Sequence, residues 1–244
     1  MLQLYKNYRS NYTGENIIVE RRLEGGRWYA TTEQVLSNVT NQQISNTAVV
    51  IGNGTNRLGF NLNHLKKPSG LLGAKTVQIY GCNALYRDFA PDFLVVGSGK
   101  IIADEIANSG YTTDHIVYAN ANQLLEYPQK FYLIPYNPYA DAGTTAAYIA
   151  AFDEHKKIYL LGFDGHETGW NNNVYAGTAG YDHQLMPING SEWIRNLKTL
   201  FDTYNDVDWV WVTPRGRNLI PEDLKHCLNF RQIDFRKFVL ECDL

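Results

Sequence analysis

The sequence predicts an α/β fold built on one doubly wound, mostly parallel sheet. Short apolar segments recur from residue 47 onward, helical patterns separate several of them, and glycine or amide residues follow many of them. These segments are four or five residues long and almost continuously apolar, which is typical of parallel strands buried on both faces. Alternation of strands and helices places ligands beyond the carboxyl ends of the strands.

Residues 1–46 are predicted to form an N-terminal β-ribbon arm, and residues 47–244 a single domain. In the arm, residues 16–20 and 27–31 flank the pair Gly25-Gly26, a pattern typical of a two-strand ribbon. No function of the arm follows from its residues.

Seven strands and three helices are predicted in the main domain. The strands are residues 48–51, 76–80, 93–96, 115–118, 131–134, 158–161 and 209–212. The helices, recognised by apolar residues at helical spacing, are residues 100–108, 144–155 and 191–204. The segment Pro221-Glu222-Asp223 favours the first turn of another helix, and residues 231–235 favour a last short strand.

Composition narrows the classes of protein. Of the 244 residues, 44% are hydrophobic and 19% charged, which excludes a disordered chain. A net charge of −3 argues against a broad nucleic-acid-binding surface. The three cysteines lack CxxC spacing, so neither a zinc site nor a disulfide framework is expected. No apolar run approaches the about 20 residues of a membrane span, and residues 1–9 are polar. We therefore expect a cytoplasmic protein without a membrane partner.

Small and amide residues follow the first two strands. Gly52-Asn53-Gly54 allows close approach of a ligand to the backbone, and N–H groups exposed there bind phosphate or carboxylate. The segment lacks the remaining residues of a dinucleotide fingerprint or a P-loop, and a plain β-turn is the alternative. Asn83 follows the second strand, where its amide suits the edge of a nucleobase or sugar. The preceding Cys82 is expected to be a small buried hydrophobe.

Two further turns open helices. Gly97-Ser98-Gly99-Lys100 and Gly143-Thr144 both have the small residues that let a helix N-terminus hold an anion. A tight connection and an ordinary helix cap are the respective alternatives.

A long loop follows the strand that ends at Gly162-Phe163-Asp164. Loops of this length in compact domains are usually lids or binding loops. The loop carries His166 and Tyr175, and His183 lies just beyond it. Two of the six histidines beyond a strand-end carboxylate favour a functional site, although an isolated histidine is more often structural.

Four of these segments occur in a familiar order: VVIGNG at 49–54, YGCN at 80–83, GTTAA at 143–147 and IYLLGFD at 158–164. Together they resemble a Rossmann-like group over about half of the chain. The group contains bacterial sialyltransferases, archaeal 6-hydroxymethylpterin pyrophosphokinases and uncharacterised bacteriophage proteins, the last being the most similar. A phage origin would place the protein in the host cytoplasm. The resemblance implies a nucleotide pocket lined by Gly52, Asn53, Gly54, Asn83, Gly143 and Thr144, with Asp164 as a ribose or substrate contact.

The resemblance implies a glycosyltransferase that moves a sugar from a nucleotide donor, for example a CMP-linked one, to an acceptor hydroxyl. His183 is expected to be the general base ahead of His166, although fewer residues separate His183 from Asp164 than the resemblance leads us to expect. Tyr175 or Tyr181 is expected near the phosphate. Neither a metal nor a tightly bound cofactor is expected for this reaction. The acceptor is open among a glycan, a small molecule and a modified DNA base.

Two alternatives stay open. The first is an ATP-dependent pyrophosphokinase, whose Mg²⁺ would be held by carboxylates chosen from Asp141, Asp164, Glu167 and Asp182. Many relatives place an acid after the third strand, where this chain has Gly97-Ser98-Gly99, so a function that needs that acid is not expected. The second alternative is a nucleotide-binding protein without catalytic activity.

Overall fold

The computed structural model confirms the predicted fold class. It describes residues 2–12, 14, 16–34, 45–66, 76–97, 99–164, 172–181, 190–216 and 220–244. Within these ranges, eight strands form one parallel sheet in the order β10-β9-β8-β3-β4-β5-β6-β7. The strands are β3 (Thr47–Ile51), β4 (Gln78–Cys82), β5 (Phe93–Val95), β6 (Ile116–Ala119), β7 (Tyr132–Leu133), β8 (Lys157–Leu161), β9 (Asp208–Thr213) and β10 (Phe230–Asp234).

The predicted N-terminal ribbon is also present and is longer than expected. Strands β1 (Asn16–Glu24) and β2 (Arg27–Gln34) pair antiparallel around the two glycines. They form a two-stranded sheet separate from the main one.

Six α-helices lie in the described part of the chain, three more than the sequence predicts. They are α1 (Lys100–Asn108), α2 (Tyr111–Asp114), α3 (Ala121–Glu126), α4 (Ala142–Phe152), α5 (Gly190–Thr203) and α6 (Phe235–Cys242). The unpredicted helices have four, six and eight residues, too few for helical periodicity to show. The expected helix after Pro221 is wrong, because only a 3-10 turn of three residues forms there.

The sheet reverses its strand order around β3. From β3 the chain adds β4 to β7 on one side and then returns to pair β8 with the other side of β3. Such a reversal leaves a crevice beyond the carboxyl ends of the central strands, because the connections leave in opposite directions.

Helices cover both faces of the sheet. Alternate side chains of β3 enter two cores: Val49 and Ile51 pack with residues of α1 and α6, and Ala48 and Val50 with those of α4 and α5. All four side chains are fully buried. Helix α4 is buried along almost its whole length, and its alanines allow it to lie close to the sheet.

A histidine is buried just after α4. His155 has no exposed surface, and its Nε2 lies 3.0 Å from the hydroxyl of Tyr80, which donates to Asp153 at 2.8 Å. Because burial penalises the imidazolium, the pKa of His155 falls from 6.5 to about 4.

We expect this histidine to make the stability of the fold depend on pH. Between pH 6.5 and 4 the unfolded chain binds a proton at His155 that the folded protein does not, so stability falls as the pH falls. The loss amounts to about 2–3 kcal/mol. Urea unfolding over this range should show a steeper decline for the wild type than for His155→Gln. A variant at the exposed His226, His226→Gln, should keep the wild-type slope, and an equal slope in all three proteins would contradict the assignment.

Candidate functional site

A cavity of about 490 Å³ lies at the carboxyl edge of the sheet, where β3, β4 and β8 end. Its volume is within the usual range for small-molecule sites. Six of the seven residues predicted to bind a nucleotide line it: Gly52, Asn53, Gly54, Asn83, Gly143 and Asp164. The seventh, Thr144, is buried beneath the cavity, where its hydroxyl donates to Asp141.

The turn after β3 is fixed by the end of β8. The N–H groups of Gly52 and Gly54 donate to the carbonyls of Leu161 and Gly162 at 2.8 and 2.9 Å. The carbonyl of Asn53 in turn accepts the N–H of Val174 at 2.8 Å. The N–H groups of both glycines therefore bind protein carbonyls, contrary to the expectation that they face an anion.

The two glycines are required by the close approach of these strand ends. A Cβ at Gly52 would lie 2.5 Å from the carbonyl oxygen of Gly162. A Cβ at Gly54 would lie 1.9 Å from Oδ1 of Asp164. No real Cβ approaches backbone or a carboxylate so closely, so each position excludes a side chain.

The carboxylate of Asp164 holds the turn after β3 in place through hydrogen bonds. Its carboxylate accepts the N–H of Asn56 at 3.2 Å, the hydroxyl of Thr55 at 3.4 Å and the amide of Asn172 at 2.9 Å. These bonds tie the end of β8 to the turn after β3 and to the returning loop. A contact from Asp164 to a ribose stays a prediction.

Asn53 lines the cavity and has an unpaired acceptor buried just below the cavity surface. Its Nδ2 donates weakly to the hydroxyl of Tyr181 at 3.4 Å, whereas its Oδ1 is buried without a hydrogen-bond partner. Buried polar atoms are nearly always paired, and this acceptor has less than 1 Å² exposed, so it reaches a ligand only if the amide of Asn53 turns toward the cavity.

Asn83 occupies the same position after β4. It has a left-handed backbone with φ of 48°, and its Oδ1 accepts the N–H of Gly97 at 2.7 Å. This bond fixes the side chain beside the cavity and leaves the Nδ2 donor for a ligand. The preceding Cys82 is buried, and burial raises the pKa of its thiol to about 12, which fits the expected hydrophobic role.

The structure separates the two tyrosines expected near a phosphate. The hydroxyl of Tyr175 accepts from the buried Arg57 at 2.8 Å and donates to Asp88, and Tyr175 does not line the cavity. Tyr181 does line it, and burial raises the pKa of Tyr181 to about 12, so its hydroxyl is a neutral donor at pH 7. The candidate bases His166 and His183 lie outside the described residues.

The turn that opens α1 contributes no described residue to the cavity wall. Neither Gly97 nor Lys100 lines it. The ammonium of Lys100 pairs with Glu126 instead, and Gly99 caps the helix without a side-chain bond. Ser98 lies outside the described residues.

Several cavity residues are not predicted from the sequence. Trp193 of α5 and Phe163 stack at 6.3 Å with 19° between their rings, and both line the cavity. In the sequence, Trp193 belongs to the apolar stripe of α5. Asp141, the N-cap of α4, lines the cavity too, although the sequence suggests it only as a magnesium ligand. The remaining additions are Tyr139, Ala140, Ala142, Gly162, Asn173, Glu192 and Asn196.

Two other features are absent from the described ranges. No group of three or more His, Cys, Asp or Glu side chains there could hold a metal ion. Two of the four suggested magnesium ligands, Glu167 and Asp182, lie outside those ranges. No helix in the described segments is long and apolar enough to cross a membrane.

Comparison with known proteins gives one structural likeness. No family model and no curated protein matches the chain. Among solved structures, the chain is similar to the sialyltransferase CstII from Campylobacter jejuni in complex with a substrate analogue, cytidine-5′-monophosphate. The identity is 15% and the TM-score 0.42, over 68% of this chain and 79% of that one. At this identity the likeness concerns the fold alone.

Proposed function

We propose that this protein is a glycosyltransferase that takes a sugar from a nucleotide-linked donor and transfers it to an acceptor hydroxyl. The observation that carries the proposal is the cavity at the sheet edge, where Asn53 and Asn83 meet from separate strands. A turn of the Asn53 amide toward the cavity would let its unpaired Oδ1 accept from the exocyclic amine of a nucleobase.

The remaining walls suit the other parts of such a donor. The half-buried ring of Trp193, which stacks on the buried Phe163, offers a flat apolar face for a base or a sugar ring. The neutral hydroxyl of Tyr181 can donate to a phosphate oxygen as the glycosidic bond breaks. His183 or His166 would accept the proton of the attacking acceptor hydroxyl.

Charge distinguishes this proposal from the pyrophosphokinase alternative. The described lining residues include three carboxylates, Asp141, Asp164 and Glu192, and neither Lys nor Arg. A triphosphate would meet repulsion here unless a cation neutralised it. A donor linked through a single phosphate carries the least negative charge, which favours a nucleoside monophosphate sugar.

The proposal is tested by titrating the protein with CMP, UMP, GMP and ATP, each with and without Mg²⁺, in calorimetry and thermal unfolding. We expect CMP to bind without Mg²⁺ and to raise the melting temperature, because a ligand of the folded state stabilises it by mass action. Binding of ATP only with Mg²⁺ would favour pyrophosphoryl transfer. Failure of all four nucleotides to bind would overturn the donor site.

We expect Asn53→Ala to weaken CMP binding by about 1–3 kcal/mol, since a buried ligand donor then loses its acceptor. Stability without ligand should fall by no more than about 1 kcal/mol, because the substitution removes an unpaired acceptor and one long hydrogen bond to Tyr181. Calorimetry gives the affinity and urea unfolding the stability. The exposed Asn63 provides the matched control, Asn63→Ala, which should bind as the wild type does. Unchanged affinity in a folded Asn53→Ala would remove Asn53 from the site.

A further inference from the structure

A second cavity, of about 540 Å³, adjoins the first. The two share Tyr139, Glu192 and Asn196 as lining residues. Other parts of its wall come from residues 2–5 and Asn7 of the N-terminal segment and from residues 136–138. We propose that this second cavity is a carbohydrate-binding site that holds the acceptor; as an acceptor site it rests on the proposed function.

The N-terminal segment is attached to the main domain at Asn7 of the wall and at the neighbouring Lys6 and Arg9. The carbonyl of Asn7 accepts the hydroxyl of Tyr204 at 2.6 Å, Lys6 pairs with Asp206 at 2.7 Å, and Arg9 pairs with Asp153 at 3.0 Å. The Arg9 and Asp153 side chains are largely buried. These contacts hold the start of the chain against the face covered by α4 and α5, so it forms a defined wall beside the first cavity.

Exposed aromatic rings line the second cavity. Tyr5 is 74% exposed and Tyr139 88% exposed. Tyr136 and Tyr139 also have positive φ angles of 43° and 55°, which are unfavourable for residues with side chains. Strained backbone of this kind occurs at binding sites, where it holds a side chain in place for a ligand. Tyrosines held at the surface offer flat apolar faces to the C–H groups of a sugar ring.

The polar part of the lining suits sugar hydroxyls. Gln3, Asn7, Asn137 and Asn196 supply amides that donate and accept hydrogen bonds, as a hydroxyl does. Glu192 is the one charged residue among the described lining residues. A neutral ligand fits this balance, whereas nucleic acid would find no cation there for its phosphates. The shared wall would place a sugar hydroxyl next to the donor.

The test uses saturation-transfer NMR with maltotriose, cellotriose, chitotriose and lactose at up to about 10 mM, enough to detect weak binding. Calorimetry with CMP is run in parallel on each protein. We expect at least one sugar to bind the wild type. Gln3→Ala and Tyr5→Ala, which change residues that line only the second cavity, should weaken that sugar about tenfold and leave CMP affinity unchanged. The exposed Leu240 lines neither cavity, so Leu240→Ala should change nothing.

The outcomes separate the two proposals. CMP binding without binding of any sugar would overturn the second cavity alone. Equal sugar affinity in the wild type, Gln3→Ala and Tyr5→Ala would also overturn it. A single-stranded oligonucleotide is titrated as a further probe, and oligonucleotide binding that both variants weaken would overturn the carbohydrate site as well. Sugar binding that both variants weaken, without CMP binding, would keep the carbohydrate site and overturn the donor site. If neither ligand binds, both proposals fail.

Discussion

His183→Gln is expected to lower the turnover number by about 10²–10⁴ while the donor affinity changes little. The acceptor hydroxyl must lose its proton as it attacks, and glutamine keeps polarity near that of histidine without accepting a proton at neutral pH. Steady-state kinetics give the turnover number, and calorimetry with CMP gives the donor affinity. His166→Gln should cause a smaller loss of turnover. His166 follows the end of β8 by only five residues, where it would orient Asp164 or the nucleotide rather than take the proton.

Three carboxylates line the cavity in the described part of the chain. Asp141 and Glu192 are the competing bases, because the carboxylate of Asp164 accepts hydrogen bonds from Thr55, Asn56 and Asn172. Asp141→Asn removes the charge of Asp141 and keeps a good N-cap for α4, because asparagine caps helices as well as aspartate does. Glu192→Gln is the matching change on α5. Both variants should keep the turnover number within about tenfold of the wild type. A large loss in either one, together with full activity of His183→Gln, would replace the histidine with that carboxylate.

Much of the fold is predictable because its strands are short, apolar and buried on both faces. Segments such as 48–51 and 158–161 are fully buried, so every side chain in them is apolar and the segments can be recognised from composition alone. Their order in the sheet does not follow from composition. For example, β8 pairs with β3 although about 110 residues separate them along the chain, as the pairing of Thr47 with Lys157 shows.

The candidate site is predictable where it lies directly after a strand. Asn53, Asn83 and Asp164 occupy such positions, and parallel strands bring these positions to one edge. Trp193 and Tyr139 are not predicted as site residues, each for its own reason. Trp193 belongs to the apolar stripe of a helix, and the positive φ of Tyr139 leaves no signal in the sequence.

The chemical role of the Gly52-Asn53-Gly54 turn is the point on which sequence and structure differ most. Glycines after a strand suggest N–H groups that hold an anion. In this protein the same N–H groups bind the carbonyls of β8 and Gly162, and the missing side chains allow two strand ends to meet. We therefore propose that the turn serves a bound nucleotide only indirectly, by fixing the position of Asn53.

Gly54→Ala is expected to destabilise the fold by about 3–5 kcal/mol, which combines overpacking with the loss of hydrogen bonds to a charged group. The new Cβ would lie 1.9 Å from Oδ1 and 2.6 Å from Cγ of Asp164, so the carboxylate must move away from the N–H of Asn56. The carbonyl oxygen of Gly162, also at 2.6 Å, blocks the backbone from making room. CMP binding should be lost as well, because Asn53 is displaced with the turn.

The matched control for Gly54→Ala is Gly99→Ala. Gly99 has φ of −69°, and no atom lies within 4 Å of the position that a Cβ would take there, so alanine fits without a clash. Urea unfolding should place Gly99→Ala within about 1 kcal/mol of the wild type, with CMP affinity unchanged.

The double variant Gly54→Ala/Asp164→Gly removes the carboxylate from the clash and should recover part of the stability lost by Gly54→Ala alone. It should not recover CMP binding, because the turn then lacks the acceptor for Asn56 and Thr55. A Gly54→Ala protein as stable as Gly99→Ala would show that the strand ends can separate at little cost, and the geometry proposed for Asn53 would fall with that result.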